Sequence, residues 1–245
     1  MILYKNMKKT LILLKEIRNY KDGYHLSSKY WQEWKNKLPP LPSNLREIAI
    51  GMILSDACMY KKSNHALIKF EQGYLQEEFL LHLFSIFKLY CFMIEPGKRI
   101  TLKGHRKSLT KSLWFKTFSH YSFTEIWNLF YIKLDYSNNY VKIIQEGLIY
   151  NNLTARGLAY WVMGDGSLQK DKKTMILHTQ SYTKTENLIL SKELNEKFYF
   201  STEVISHKKI YWVIKFNSKD AHILHNLIKP YVHSSMSYKI PIDSS

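Results

Sequence analysis

Apolar residues recur along this chain at two spacings. Phe79, Leu80, Leu83, Phe84 and Phe87 fall three and four apart, which predicts an amphipathic helix over residues 75–90. The same spacing predicts helices over 123–132, 185–198 and 220–228, with Leu188, Leu190 and Leu194 facing inward in the second of these. Short alternating or β-branched runs predict strands at 65–72, 99–103, 112–118, 174–180, 204–207 and 210–217. The last two read as a hairpin around Lys208 and Lys209, and Lys61 to Asn64 reads as a polar loop. Near the start, Leu11, Leu14, Ile17 and Arg18 mark a short helix and residues 30–34 a second. The proline-rich stretch 38–44 reads as a linker, with Ser43 or Asn44 capping the next helix and Glu47 in its first turn.

Two apolar helical segments look like copies of each other. Ile48-Ala49-Ile50-Gly51-Met52-Ile53-Leu54-Ser55-Asp56 and Gly157-Leu158-Ala159-Tyr160-Trp161-Val162-Met163-Gly164-Asp165 each end on an aspartate, 109 positions apart. Each copy leads into the same order of elements, strand–helix–strand–strand–helix, so the chain is predicted to be an internal duplication with a pseudo-twofold axis. The expected units are an extension and linker at 1–44, a first half at 45–150 and a second half at 151–245.

A carboxylate at the end of an apolar helix is costly to bury unless it is paired or holds a cation. Two matched copies predict two helices side by side, delivering Asp56 and Asp165 to one place. Small residues ease a close crossing: Gly51 and Ser55 share a face, and Gly164 is small, although Tyr160 stands where the first copy has Gly51. Adjacent carboxylates repel unless a divalent cation lies between them, and an oxygen-only donor set favours Mg²⁺. Such a centre suits phosphodiester hydrolysis. His222 and His225 lie three apart on a predicted helix with no third ligand, and read as structural.

Composition sharpens this picture. The formal charge is +16, distributed as +6, +5 and +5 over the extension and the two halves. A spread positive field fits a long polyanion rather than a small acidic ligand. No apolar stretch is long enough to cross a bilayer. Cys58 and Cys91 lack metal-ligand spacing and read as reduced core residues. The basic start of the chain lacks the features of a signal or transit peptide, while abundant Lys, Asn, Ile and Tyr match AT-rich codons and an organelle-encoded gene, the mitochondrion or another organelle.

The two aspartate-ended motifs resemble those of the LAGLIDADG homing endonucleases, in the monomeric class with two motifs per chain. The second copy, continuing into Gly166 and then His178-Thr179-Gln180-Ser181, carries the resemblance best, together with Leu227-Ile228-Lys229-Pro230-Tyr231 and Met236-Ser237-Tyr238-Lys239-Ile240-Pro241. It covers residues 44–242. It implies an α+β fold of two αββαββα halves, with the motif helices packed together and the antiparallel strands forming a saddle over DNA. It further implies that Asp56 and Asp165 are metal-binding catalytic acids and that Lys239 activates water or steadies phosphate charge. Lys142 is its first-half counterpart, and Gln72 and Gln180 line the solvent network. Where the family often has Asp before the second acid this chain has Gly164, and where it commonly has Pro stands Gln145.

Nucleic-acid contacts are expected from one face of the strands, at Lys69 and Glu71, Arg99, Thr101 and Lys103, Lys111, Ser112 and Lys116, and Lys215 and Asn217. Loop lysines and arginines at Lys61, Lys62, Arg106, Lys107, Lys170, Lys172, Lys173, Lys208 and Lys209 are expected on phosphates. Two functions stay open from the sequence. One is a site-specific, Mg²⁺-dependent double-strand DNA endonuclease of the intron-homing type. The other is a catalytically inactive derivative binding structured RNA, intron or ribosomal, as a maturase or as a structural protein of an organellar ribonucleoprotein.

Overall fold

The computed structural model describes residues 28–62, 64–103, 108–135 and 139–243. Helix α1 (Lys29–Lys37) precedes the first repeat: α2 (Ser43–Leu54), β1 (Cys58–Lys62), β2 (His65–Gly73), α3 (Glu77–Phe87), β3 (Gly97–Lys103), β4 (Ser108–Lys116) and α4 (Tyr121–Phe130). A small hairpin, β5 (Tyr131–Lys133) with β6 (Tyr140–Lys142), and a short helix α5 (Leu148–Asn152) lead onward. The second repeat is α6 (Ala155–Asp165), β7 (Gly166–Leu168), β8 (Met175–Leu177), α7 (Lys184–Phe198), β9 (Glu203–His207), β10 (Tyr211–Phe216) and α8 (Ala221–Ile228). Both halves therefore read αββαββα, and their antiparallel sheets share one strand order, β1-β2-β4-β3 and β7-β8-β10-β9.

Alternation decides which face each strand buries. Ala66, Ile68 and Phe70 of β2 point into the core with Leu113 and Phe115 of β4, where the Phe70 and Phe115 rings stack at 4.6 Å. The apolar stripe of α3, Phe79 to Phe87, closes over them, and Glu77 and Glu78 occupy its first turn, where negative charge suits the helix dipole. The other face of that sheet carries Lys69, Glu71, Arg99, Ser112, Trp114 and Lys116. Lys111 lies on the opposite side of β4 from Ser112.

Several sequence expectations shift. Lys61 and Lys62 belong to strand β1, not to a loop, because the hairpin turns tightly after them. Helix α3 is shorter than 75–90, since residues 74–76 and 88–90 tighten into 3₁₀ turns. Strand β4 begins earlier and α4 ends earlier than expected, because Phe130 runs directly into β5. Helix α2 starts at Ser43 itself, with Pro42 as N-cap and no side-chain capping bond, so neither Ser43 nor Asn44 caps it and its first turn holds no acid. Leu188 is half-exposed rather than inward. The stretch 38–44 is packed: Leu38 is buried, Tyr90 Oη donates to the Pro39 and Pro40 carbonyls, and Leu41 N–H donates to Ser122 Oγ at 3.1 Å. The short helix expected at 11–18 lies outside the described residues.

The halves are joined by carboxylates of α7. Glu193 accepts N–H groups of Gly147, Ile149 and Tyr150 and so caps α5. Glu186 closes a capping box with Thr183 and also accepts from Ile144 N–H at 3.0 Å. The connection that carries Lys142 is thereby held to the second half.

Candidate active site

Helices α2 and α6 cross at glycines. A Cβ on Gly51 would lie 2.0 Å from the carbonyl oxygen of Gly157, and one on Gly164 would lie 2.6 Å from Ser55 Cβ. The backbones touch where other side chains would hold them apart. Gly51 faces Gly157 rather than its own counterpart in the repeat, Tyr160. Arg156 pairs with Glu47 at 3.0 Å, and Arg46 donates to Asn152 Oδ1 at 3.0 Å, fastening the starts of the two helices.

The crossing brings the motif ends together. Asp56 comes just after the last turn of α2, is exposed, and accepts from Gln72 Nε2 through Oδ2 at 2.9 Å. The same Oδ2 lies 3.3 Å from where a Cβ on Gly164 would sit, beside Asp165. A larger residue at 164 would collide with Ser55 and crowd Asp56, which is the physical reason for glycine there. Asp165 closes α6 and is partly buried. Burial, then the Asp56 charge, pushes its carboxyl up to about 8, against the pull of Lys142, Lys239 and the Trp161 indole. Trp161 Nε1 is buried with no hydrogen-bond partner within 3.5 Å, so its influence on Asp165 is a weak, longer-range one.

Each lysine binds the free carbonyls at the end of a motif helix, where the dipole favours a cation. Lys142 Nζ donates to the Ile53 carbonyl. Lys239 Nζ donates to the carbonyls of Met163 at 2.5 Å and Gly164 at 3.0 Å. Burial pulls Lys142 down to about 8, opposed most strongly by Asp165, and lowers Lys239, opposed most strongly by Asp56. Each lysine is thus bonded to its own half's helix and is most sensitive to the acid of the other half.

Gln180 departs from the expected symmetry. Its Nε2 meets His178 Nδ1 at 3.1 Å rather than Asp165, and His178 Nε2 meets Ser167 Oγ at 2.8 Å. Residues not singled out from the sequence complete the centre. Tyr182 Oη donates to the Leu54 carbonyl at 2.8 Å and its ring lies 5.1 Å from Lys142 Nζ. Trp161 sits one turn before Asp165. Nothing marked Tyr182 in the sequence, because its partner lies 128 positions away.

On the strand face, Glu71 gathers several candidates. It pairs with Lys69 and with Arg99 at 3.3 Å, and accepts from Ser112 Oγ at 2.7 Å. Lys69 is nearly buried in this network, so its charge is committed to Glu71. Lys116 Nζ lies over Tyr60 and Trp114, at 5.5 and 5.6 Å from the ring centres. Lys215 pairs with Glu203 at 3.7 Å, while Asn217 Nδ2 donates to the Ser201 carbonyl at 2.6 Å and to Glu203 Oε1. Lys62, Thr101 and Lys103 are placed in their strands. Lys170, Lys172 and Lys173 occupy the β7–β8 turn and Lys208 and Lys209 the β9–β10 turn. Arg106 and Lys107 lie outside the described residues. Cys58 is partly exposed rather than in the core, whereas Cys91 is buried.

Among the described residues no three His, Cys, Asp or Glu side chains cluster as a metal cage. Two carboxylates close enough for the Asp56 charge to raise Asp165 instead fit a hard divalent cation that keeps most of its waters.

Together the repeated fold and the paired acids define a two-motif, helix-seam nuclease scaffold. The family model of the LAGLIDADG DNA endonuclease family matches residues 46–224. A probable intron-encoded endonuclease 1 of Wickerhamomyces canadensis is 31% identical over 238 residues, 94% of this chain and 98% of that protein. A probable intron-encoded DNA endonuclease 3 of Mycosarcoma maydis is 51% identical over 132 residues, 54% of this chain and 94% of that one. The cytochrome b mRNA maturase bI2 of Saccharomyces cerevisiae is 27% identical, over 85% of this chain and 50% of the maturase. Among solved structures, the homing endonuclease I-WcaI bound to its DNA recognition sequence superposes with a TM-score of 0.79 at 28% identity, covering 91% of this chain and 96% of that one. The chain belongs to the LAGLIDADG DNA endonuclease family, and its activity class is that of a nuclease. Endonucleases of this family are in general metal-dependent. No helix among the described residues is long and apolar enough to cross a membrane.

Proposed function

We propose that this protein binds double-stranded DNA along the charged strand faces of its two sheets and cuts both strands at a specific site, as an intron-homing endonuclease. The single observation that carries the reading is the delivery of Asp56 and Asp165, from matched helices, to one place at a glycine seam flanked by two lysine ammonium groups. The similarity to a homing endonuclease with DNA bound supports duplex DNA as partner and one chain as the active unit.

Asp56 and Asp165 would hold Mg²⁺, which when bound would neutralise phosphate charge and lower the pKa of a water. Gln72 orients the Asp56 carboxylate. Lys142 and Lys239 face the scissile phosphates' charge as it grows, while their bonds to helix-end carbonyls keep them in place. Gln180, with His178 and Ser167, orders water near the second acid. Arg99, Lys103 and Lys116 serve the strand faces. Lys61, Lys62, Lys170, Lys172, Lys173, Lys208, Lys209 and Lys215 hold the backbone, as do Arg106 and Lys107, while Lys69 acts through Glu71. The units are an N-terminal extension and linker, 1–44, and two DNA-reading halves, 45–150 and 151–245. The intron-encoded and cytochrome b maturase relatives support a mitochondrial gene.

The test is cleavage of the intron-less insertion site in Mg²⁺. Asp56→Asn and Asp165→Asn should each abolish cleavage and leave duplex affinity nearly unchanged; wild-type cutting by either variant would refute the assignment. The maturase relatives favour a second activity, on structured RNA. A gel shift in matched salt separates the two, since tight RNA binding with no DNA cleavage supports only the second.

A further inference from the structure

Three side chains from three separate elements meet beside α6. The His82 and His233 rings stack at 4.5 Å with a 28° tilt, and His82 Nε2 meets Tyr160 Oη at 2.7 Å. His82 belongs to α3 of the first half. Tyr160 belongs to the second motif helix and is 4% exposed. His233 belongs to the tail after α8.

His233 does more than stack. It is the N-cap of a 3₁₀ helix, Ser234–Lys239, accepting from Ser235 N–H through Nδ1 at 3.4 Å and meeting Ser235 Oγ at 2.8 Å. That helix ends on Lys239, the ammonium that reaches the Met163 and Gly164 carbonyls beside Asp165. His233 N–H also meets Met163 Sδ at 3.2 Å, and Met236 is fully buried in between. Beyond Lys239 the tail is tied again, by His225 Nδ1 to the Pro241 carbonyl at 2.8 Å and by Ile242 N–H to the Lys172 carbonyl at 2.9 Å. Lys239 therefore sits on a short rigid turn whose upstream end is fixed by a residue of the opposite half.

We propose that His82 is a positioning residue for cleavage: by stacking on His233 it sets the turn that delivers Lys239, so that one strand's cut depends on a latch between the halves. Burial and the neighbouring His233 hold His82 down at about 4, so the His82 ring stays neutral across the working range. Among the described residues no pair of imidazoles bears on Lys142, which donates to the Ile53 carbonyl and lies 5.1 Å from the centre of the Tyr182 ring. Loss of the latch should then fall unequally on the two strands. A general loss of stability would fall on both alike.

This inference rests on the assignment of Lys239 to the active centre. Its test is strand-resolved cleavage of an end-labelled target duplex under single turnover, with duplex affinity and melting temperature measured alongside. His82→Ala should slow one strand roughly 10- to 100-fold more than the other, so that nicked product accumulates, with affinity unchanged. Lys239→Met should slow the same strand, and the double variant should be no worse than Lys239→Met alone. His233→Ala removes the latch from the other side and should reproduce the bias if His82→Ala folds poorly. His82→Phe keeps a ring on His233 and should restore the balance between strands, although it leaves Tyr160 Oη without a partner. Equal slowing of both strands, a bias on the strand opposite to that of Lys239→Met, or additive losses in the double variant would overturn the latch. Asp56→Asn and Asp165→Asn run as controls. If either cuts like wild type, the reading of the centre fails; if both are dead and His82→Ala shows no strand bias, only the latch fails.

Discussion

Gly51 and Gly157 lie backbone against backbone: a Cβ on Gly51 would sit 2.0 Å from the Gly157 carbonyl oxygen. No rotamer relieves that overlap, because both partners are main chain. The spacing of the two halves, and with it the separation of Asp56 and Asp165, is set there.

Gly51→Ala should accordingly destabilise the fold by about 3 kcal/mol or more, at or above the upper end of ordinary overpacking. Gly164→Ala is more informative, since its new Cβ meets a side chain, 2.4 Å from Ser55 Oγ and 2.6 Å from Ser55 Cβ. It should lose stability and cleavage together. Adding Ser55→Gly should restore most of both. Chemical denaturation and cleavage rates on the three variants check this, and a double variant no better than Gly164→Ala would contradict it.

Asp165 gives the metal-free protein a characteristic pH dependence. Its folded pKa, about 8, lies above the ordinary 3.8, so the folded state favours the protonated form. The associated stability is fully present below about pH 4, declines as pH rises, and is gone above about pH 8. Lys142, lowered from 10.5 to about 8, acts in a different window: below about pH 8 its buried charge is a full cost, relieved only as pH rises toward 10.5. With a chelator present, the melting temperature should fall between about pH 4 and about pH 8, and the fall should shrink in Asp165→Asn. Adding Mg²⁺ should raise the wild-type melting temperature most near pH 8. An identical slope in wild type and Asp165→Asn would show that the burial of this carboxyl is not what the melting curve reports.

The lysines can be separated from general DNA attraction. Both ammonium groups are occupied with main-chain carbonyls, so they are not free to act as backbone clamps. Lys142→Met should leave duplex affinity within about two-fold while cleavage falls on the order of 100-fold, as when one oriented donor is removed from a transition state. Lys142→Arg should not rescue, because the site between Ile53, Phe130 and Tyr182 is closed around a slender ammonium stem. Single-turnover rates with saturating enzyme, beside direct binding curves, decide it. A large affinity loss with normal chemistry would reassign Lys142 to the DNA backbone.

How far the sequence reached depends on how local each determinant is. The repeat and the two aspartates were legible, because duplicated apolar runs are written in consecutive residues, while Lys142 and Lys239 came through the family resemblance. The αββαββα order came through the family resemblance, while the counted strands missed β1 and β7, which are short and carry Lys61, Lys62 and Ser167 rather than an apolar alternation. Hidden from the sequence was whatever depends on two distant segments meeting. Gly157 matters because Gly51 faces it. Gly164 looked like a departure from the pattern until Ser55 filled the space beside it. Gln72 reaches Asp56 but Gln180 turns to His178, although their spacings from the two aspartates differ by one residue. Lys69 and Arg99 are expected from the sequence to contact nucleic acid, and Glu71 takes up part of their charge.

The β9–β10 turn offers a further test, of strain kept for binding. Lys208 and Lys209 adopt positive φ, 52° and 64°, where a side chain is disfavoured and Asn or Gly is the usual occupant. Both are exposed and neither is engaged in a salt bridge among the described residues. Lys172, in the neighbouring β7–β8 turn, has φ 58° as well. Replacing Lys208-Lys209 with Asn-Gly should therefore stabilise the protein by up to ~1 kcal/mol, because the turn relaxes. It should also weaken DNA binding, and weaken it less at high salt. If both lysines sit on phosphates, the plot of log affinity against log salt should flatten by about 0.9 per contact, close to 2 for the pair. Lys208→Ala with Lys209→Ala removes the charges without relieving the backbone, and should flatten the slope equally while giving no gain in stability. An unchanged salt slope in both double variants would place this hairpin tip off the DNA.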